Sequence, residues 1–497
     1  MSDTNDRSST IFGNSISTSA YKKALKQKTK FEKKFNHDPD ASYPLKAEKN
    51  QVIGPPLGVE NIVVSATGKN IKADNAVALG TIRMGFGHYR IAMAAASAAH
   101  YMGITSYWFD LLSFDTTGKK IIQHLEKLYS LGSRLSQKFS LFNRLYWEPL
   151  TAEGFKKLDF NASDQKMTEL MSDIYGDLPK DLPFVATHAW ASQAAVHAGM
   201  KQVVNMIPDN WPLGLHLSEG AIHTIQSPSA YMGYRTLKHM DKKRDILAPM
   251  PAPDLHYTGH YVDHELVKNI EKDCKARIKR IQGKKTRRVL LSIGGAGAQE
   301  DIFLSVIRHL LPMIKDGSVT LFLNMGDHGN VWKIIEKELK GYESEITTHF
   351  DWDDTRRFAA KALNSNVTGL HAFLNDNIFA AIYSTNLLIR ACDVLITKPS
   401  ELAYYPVPRL FIQRVGGHEA WGAIRGAELG DGTIECENIP LTIQALDLML
   451  NDTDLLTMYC ESIMKHKTIG TYDGAYRVIE LAMEKKQKGK KKRSARS

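Results

Sequence analysis

Apolar residues in this chain fall into two series of short runs, and each series repeats the order strand, glycine-containing loop, helix, strand. In the first, Asn61–Ser65 and Ala76–Leu79 read as strands and Thr81–Gly87 as a turn. An Ala-rich helix over Ile91–Met102 and a strand over Ser106–Phe109 follow. Phe184–Thr187 and Gln202–Met206 repeat the pattern around a helix at His188–Ala198. The second series follows a charged helix over 264–282. Arg288–Ile293 ends in Gly294-Gly-Ala-Gly297-Ala before a helix over Asp301–Ile314, and Val319–Asn324 leads through Gly326–Gly329 to a helix over Val331–Leu339. Val394–Thr397 is a last buried strand. Near-continuous apolar strands alternating with helices predict parallel sheets covered on both faces. Two such series, separated by the Pro-rich Met250–Asp254, predict an α/β protein of two Rossmann-like domains with ligands at the carboxyl ends of the strands, in the cleft between them.

Composition narrows this picture. The 497 residues exceed what one core usually holds, and 43% apolar with 24% charged residues is a folding composition. Cys274, Cys392, Cys436 and Cys460 are far apart and lack C-x-x-C spacing, so neither a disulfide framework nor a zinc site is predicted. No basic and apolar leader opens the chain and no run reaches the ~18 apolar residues of a span, so a cytoplasmic protein is expected. The net charge of +10 is concentrated at the ends: residues 485–497 hold eight Lys or Arg and no acid, and residues 1–50 are Lys-rich. Residues 1–55 are expected to be a basic, loosely ordered arm, 471–485 a helix and 486–497 a disordered basic tail. The tail has no aromatics for base stacking and the body is near neutral, so an anionic membrane is the expected contact and nucleic acid is not. Residues 119–147 read as a basic amphipathic helix pair, with Ile121, Leu125, Leu128, Leu135, Phe139, Phe142 and Tyr146 at helical spacing among lysines and arginines. Such a pair can lie at a membrane surface or be half core and half solvated.

The densest chemistry lies at Val394-Leu-Ile-Thr-Lys-Pro-Ser-Glu401, closed by Gly416-Gly-His418-Glu419-Ala-Trp-Gly422-Ala423. Pro399 and Ser400 are expected to turn the chain into a helix whose first N–H groups face a phosphate, with Glu401 in its first turn placed to accept from both hydroxyls of a ribose. Neither Gly85-Phe-Gly87 nor Gly295-Ala-Gly297 completes a dinucleotide fingerprint or a P-loop. Asp351-Trp-Asp353 matches a metal-binding Asp-x-Asp, but as a helix cap it needs no metal.

Together these segments resemble the type-B-fold glycosyltransferases that include monogalactosyldiacylglycerol synthase, processive diacylglycerol glucosyltransferases and the lipid II N-acetylglucosaminyltransferase. The resemblance rests on Gly85-Phe-Gly87-His88, the glycine loop Gly294–Gln299 and Thr258-Gly259. It rests above all on Asp393–Pro399, on Glu401 seven residues before Pro408, and on Glu419 ahead of Ala423. It spans residues 75–470. The chain departs from the family in its shortened Lys398-Pro-Ser400 turn, in Gly422 where the family has Asn, and in Asp263 near a position the lipid II enzyme gives to Arg.

The resemblance implies an acceptor domain over 56–255, including the Gly85 and Gly87 loop, and a nucleotide-sugar domain over 256–470. It implies an inverting, metal-independent transfer from a UDP-sugar, without a cofactor, to a lipid at the inner face of the membrane. His88 is the expected base, an imidazole near neutrality being able to take the acceptor hydroxyl's proton; a capping histidine is its structural alternative. Asp209, in Ile207-Pro-Asp-Asn-Trp211, is the second candidate base. Gly294 and Lys398 would help bind the donor, Gly295, Ala296, Gly297, Ala298 and Ser400 would hold the diphosphate, Glu401 the ribose, and His418 with Glu419 the transferred sugar. A soluble UDP-sugar enzyme on the same scaffold, either a transferase for another glycan or a 2-epimerase, and a non-catalytic scaffold are the rival readings.

Overall fold

Ala76–Thr81 buries all six of its residues, as a strand must when a sheet is covered on both faces. The computed structural model describes residues 6–67, 69–139, 145, 154–241, 243, 245–293 and 299–494, excepting the side chains of 130, 133, 134, 136–138, 418 and 485–494. The chain divides into two units: residues 1–84, 95–259 and 474–497, and residues 85–94 and 260–473. In chain order the strands of the first unit are β1 Thr10–Ile11, β2 Asn14–Ser15, β3 Leu45–Lys49, β4 Val59–Val64, β5 Ala76–Thr81, β6 Thr105–Asp110, β7 Phe184–Ala186, β8 Val203–Met206, β9 Ile222–Ile225 and β10 Leu255–Tyr257. Those of the second are β11 Arg287–Ser292, β12 Val319–Asn324, β13 Ile346–His349, β14 Gly369–Phe373, β15 Val394–Thr397 and β16 Arg409–Phe411.

The first unit is built on an eight-stranded sheet ordered β10-β9-β8-β7-β5-β6-β4-β3, in which the edge strand β3 runs antiparallel to β4 and the other pairs are parallel. Its core gathers Phe109, Phe114, Tyr175 and Phe184, with Phe109 ring centroids 4.7 Å from Tyr175 and 4.9 Å from Phe114. The second unit holds a six-stranded, wholly parallel sheet ordered β13-β14-β12-β11-β15-β16. Val289, Leu291 and Ile293 alternate on one face and meet Leu321, Leu323, Val394 and Ile396 under the helix Glu300–Lys315. The α/β class and the two parallel-sheet units are those the hydrophobic pattern predicts.

Three regions differ from expectation. Residues 10–49 are structured rather than loose: β1 and β2 pair, Thr18–Phe35 is a helix, and β3 joins the sheet. Ala20, Ala24 and Phe31, spaced four and seven, bury one stripe of that helix, which its lysines mask in any average of composition. The C-terminal helix runs Gly474–Ser494, beyond the expected end at 485, while 495–497 lie outside the described residues. Its start is anchored by Ala475, Val478, Ile479 and Ala482, all fully buried, and Lys and Gln continue a helix well. Within 119–147 one helix, Thr117–Lys138, is described; it buries Ile121 and Ile122 and exposes Leu128, while 140–144 and 146–147 lie outside the described residues. Among the described residues no helix is long and apolar enough to cross a membrane.

The units part at Gly259, a few residues past the expected Met250–Asp254. Two exchanges cross the predicted boundaries: residues 85–94 group with the second unit and the helix from Gly474 with the first. Within the first unit that helix is tied by Gln202 Nε2 donating to Leu481 O at 3.0 Å and Arg477 Nη1 to Thr258 O at 2.7 Å.

Candidate functional site

The sheet of the second unit reverses its order between β11 and β15, since β12 extends one side of β11 and β15 starts the other. The carboxyl ends of these two strands form the switch point where doubly wound sheets take their ligands. β11 leads into residues 294–298, so Gly294, Gly295, Ala296, Gly297 and Ala298 lie outside the described residues. β15 leads into Lys398-Pro-Ser-Glu401. Its entry is fixed from behind by Asp393, whose buried carboxylate accepts from Arg280 Nε at 3.0 Å, Arg280 Nη2 at 2.7 Å and the Arg288 amide at 2.9 Å. Arg277 ties down the preceding turn by donating to Ile389 O at 2.7 Å and Cys392 O at 2.8 Å. The Asp-Val-Leu-Ile-Thr motif thus works first as a structural clamp.

After β15 the chain makes a 3-10 turn, Glu401–Tyr404, in place of the expected helix. One turn has no appreciable macrodipole, so the idea of a phosphate seated at this helix start is corrected: Ser400 remains beside Glu401, half-buried, without a helix behind it. Glu401 keeps 16% of its side chain exposed, and Arg90 Nε lies 3.7 Å from its Oε1. Arg90 itself is 1% exposed. Its Nη1 donates to Asn386 Oδ1 at 3.1 Å and Ile382 O at 3.3 Å, its Nη2 to Thr385 Oγ1 at 3.4 Å, while its Nε makes no hydrogen bond among the described residues. Behind this, Asp263 Oδ2 accepts from Asn386 Nδ2 at 2.7 Å and Tyr405 Oη at 3.3 Å. Burial pushes the Asp263 carboxyl up to about 7, against the pull of Arg90. Glu401, Arg90, Asn386, Asp263 and Tyr405 therefore form one connected polar network, buried except at its Glu401 end.

Gly85, Gly87 and His88 belong to this unit rather than to an acceptor domain. Phe86 packs on His328 with centroids 5.6 Å apart, and Gly326, at φ +62, has the Phe86 ring 2.6 Å from where a Cβ would stand. Tyr89 stacks on Phe379 at 5.6 Å. His88 is half-buried in the first turn of the helix Gly87–Tyr101, and a Cβ on Gly87 would lie 3.5 Å from Glu401 Oε2. The structure thus brings the start of this helix to Glu401. Asp209 sits in the first unit after β8, its Oδ2 3.3 Å from His216 Nε2, and His216 Nδ1 is 2.6 Å from Tyr234 Oη.

Glu419 is committed to shaping its own loop. Its Oε2 accepts from the Val415 amide at 2.8 Å and the Gly416 amide at 3.2 Å, and its Oε1 pairs with Lys398. The side chain of His418 lies outside the described residues. Gly422 has its own reason: a Cβ there would lie 2.3 Å from Pro399 O, so the helix Ala420–Leu429 can close on the shortened turn because nothing projects from it. Asp351 Oδ1 accepts from the Asp354 amide at 3.0 Å as an N-cap and Asp353 pairs with Arg356, in keeping with a capping role. Among the described residues no group of three or more His, Cys, Asp or Glu is placed to hold a metal ion.

Arg90, Asn386 and Tyr405 are the members that sequence reasoning passed over. Arg90 carried a signal, a guanidinium inside the run Tyr-Arg-Ile-Ala-Met-Ala-Ala-Ala, where a buried charge demands a partner.

Residues 10–236 match the family described as Domain of unknown function (DUF6937), and residues 250–483 match Domain of unknown function (DUF6938). No curated protein matches the chain. Among solved structures, a UDP co-structure of S. aureus MnaA shares 9% identity at a TM-score of 0.45, covering 82% of this chain and 96% of that one. The UDP-GlcNAc 2-epimerase of Neisseria meningitidis bound to UDP-GlcNAc shares 13% at 0.44, covering 82% and 99%. CalG4, the calicheamicin glycosyltransferase, shares 12% at 0.37, covering 82% and 98%.

Proposed function

We propose that this chain is an inverting glycosyltransferase that moves a sugar from a UDP-sugar to a lipid hydroxyl, with the nucleotide held by the second unit about Glu401. The observation that carries the reading is the coincidence of motif and geometry at Glu401. A partly exposed carboxylate ends a switch-point strand, in the motif the resembled transferases share, and a buried guanidinium stands behind it. The ribose hydroxyls donate to the Glu401 carboxylate, whose position Arg90 sets. The N–H groups of 294–298 take the diphosphate, and Lys398 adds a cation on the same strand end. His88 then removes the acceptor hydroxyl's proton. The new bond from that oxygen to the anomeric carbon forms as the bond from the anomeric carbon to phosphate breaks, and UDP leaves with the electron pair. In this scheme the N–H groups of 294–298 and Lys398 meet the growing charge in place of a metal. Asp209 is the alternative base.

The test is incubation with several UDP-sugars and a lipid extract, followed by mass spectrometry. A hexose-sized or N-acetylhexosamine-sized gain on a lipid supports the proposal. UDP-sugar turnover with no acceptor would assign the chain to epimerisation instead, and failure to bind UDP would leave a non-catalytic scaffold. His88→Ala is expected to spare UDP affinity while lowering transfer about a hundredfold or more, the usual share of a general base. Full activity in His88→Ala together with loss in Asp209→Asn would move the base to Asp209.

A further inference from the structure

The helix Thr18–Phe35 holds seven lysines and one acidic residue in 18 positions. Lys28 is half-buried, 2.7 Å from Glu169 and 3.7 Å from Glu32. The other six, Lys22, Lys23, Lys26, Lys30, Lys33 and Lys34, are exposed. At the helical repeat they fall within about 120° of the circumference, a stripe ~18 Å long on the side away from buried Ala20, Ala24 and Phe31. Among the described residues no carboxylate forms an ion pair with any of the six. Like charges three and four residues apart on a helix repel. A solvated face would relieve this by mixing in acids, and here it does not.

The neighbouring helix Thr117–Lys138 extends the feature within the same unit. His124 packs against Phe31 and Phe35, with ring centroids 6.2 and 6.0 Å apart, and its Nε2 is 3.0 Å from Lys34 Nζ. Burial, then Lys34, Lys30 and Lys127, hold His124 below its ordinary value, so lysines of both helices act on one seam. This helix exposes Lys120 and Lys127 and, within about 100° of its circumference, Leu128 and Leu131 at 52% and 48%.

We propose that these two helices form a docking face for an anionic lipid bilayer, the lysine stripe lying against headgroup phosphates and Leu128 and Leu131 entering the boundary with the acyl chains. Compact ammonium charges with aliphatic neighbours suit a fluid anionic surface. A nucleic acid would be met by arginine forks and by rings for stacking, and the stripe has neither. The inference deepens the lipid-acceptor reading by naming the surface that reaches the lipid, and its test does not depend on sugar transfer.

The test is co-sedimentation of the full chain with phosphatidylcholine vesicles, with and without phosphatidylglycerol, at about 0.1 M salt. Binding is expected on the anionic vesicles and not on the neutral ones. The combined variant Lys22→Gln, Lys26→Gln, Lys30→Gln and Lys33→Gln is expected to lower the partition coefficient at least about tenfold. The matched variant Lys268→Gln, Lys272→Gln, Lys275→Gln and Lys279→Gln removes the same charge from the helix His264–Gln282 and is expected to bind as the wild type does. Leu128→Ser with Leu131→Ser is expected to weaken binding with no change of charge. Undiminished binding by the stripe variant overturns the proposal, as does equal loss in the matched variant or binding of RNA in place of vesicles. UDP affinity measured on the same samples separates the two claims: vesicle binding without UDP binding would reject the nucleotide reading and keep this one.

Discussion

Arg90 shows at the scale of one residue how a buried charge organises this protein. Its guanidinium meets Asn386, Thr385 and Ile382 and faces Glu401, so its removal strands acceptors that were chosen around it. Arg90→Met is expected to destabilise the chain by about 3 kcal/mol in urea titration, the scale for breaking a buried ionic network, and a loss under about 0.5 kcal/mol would show that the network is not a support. Asp263 adds a pH dependence of definite sign. Its folded value, raised to about 7, exceeds its unfolded one, so the stability it contributes is fully present below about pH 4 and is lost as pH rises through 7. Asp263→Asn should flatten that limb of the pH–stability curve; an unchanged slope between pH 4 and 7 would refute the assignment. The sequence pointed to Glu401 through its motif and its place after a strand. It could not point to Asn386 or Tyr405, because their partnership is a tertiary contact with no periodic trace.

Among the elements, those defined by continuous burial were the legible ones. Val319–Asn324 and Val394–Thr397 are unbroken apolar runs, and the helix His264–Gln282 alternates charge and apolar residues at helical spacing, so their limits agree with the structure. The helix Thr18–Phe35 was not legible, because two alanines and a phenylalanine bury it among seven lysines. Pro-Ser-Glu after β15 predicts a helix start; the turn ends after four residues because Tyr405, ahead of Pro406, is extended. Gly422→Ala puts a methyl where Pro399 O stands and is expected to cost about 1–3 kcal/mol by thermal or urea unfolding, with UDP affinity falling as well. At the β13–β14 edge, His349 Nε2 lies 3.1 Å from His371 Nδ1, and His349 Nδ1 is 2.6 Å from Asp354 Oδ2. Burial, then His349, lowers His371 to about 4. A depressed histidine is stable when neutral, so this edge loses stability as pH falls from about 6.5 through 4, opposite in direction to Asp263. Hydrogen-exchange protection factors of β13 and β14, taken against the intrinsic rate at each pH, should fall over that range, and protection factors that stay flat would contradict it.

For the whole molecule, the hydrophobic pattern predicts two parallel α/β units, since each sheet needs its own series of strands, and a hinge at Met250–Asp254, whereas the units part at Gly259. The pattern did not reveal that residues 85–94 pack with the second unit, nor that the helix from Gly474 returns to the first, because chain exchanges leave the periodicity of each element intact. The first exchange brings the start of the helix Gly87–Tyr101 to Glu401 inside one unit. In the proposed function a nucleotide sits at this switch point with its ribose on Glu401. Calorimetric titration with UDP, comparing the wild type with Glu401→Ala, tests it most directly. Saturable binding is expected in the wild type, weakening at least about tenfold in Glu401→Ala through the loss of charge-assisted hydrogen bonds to two hydroxyls. Equal UDP affinity in the two proteins would contradict it.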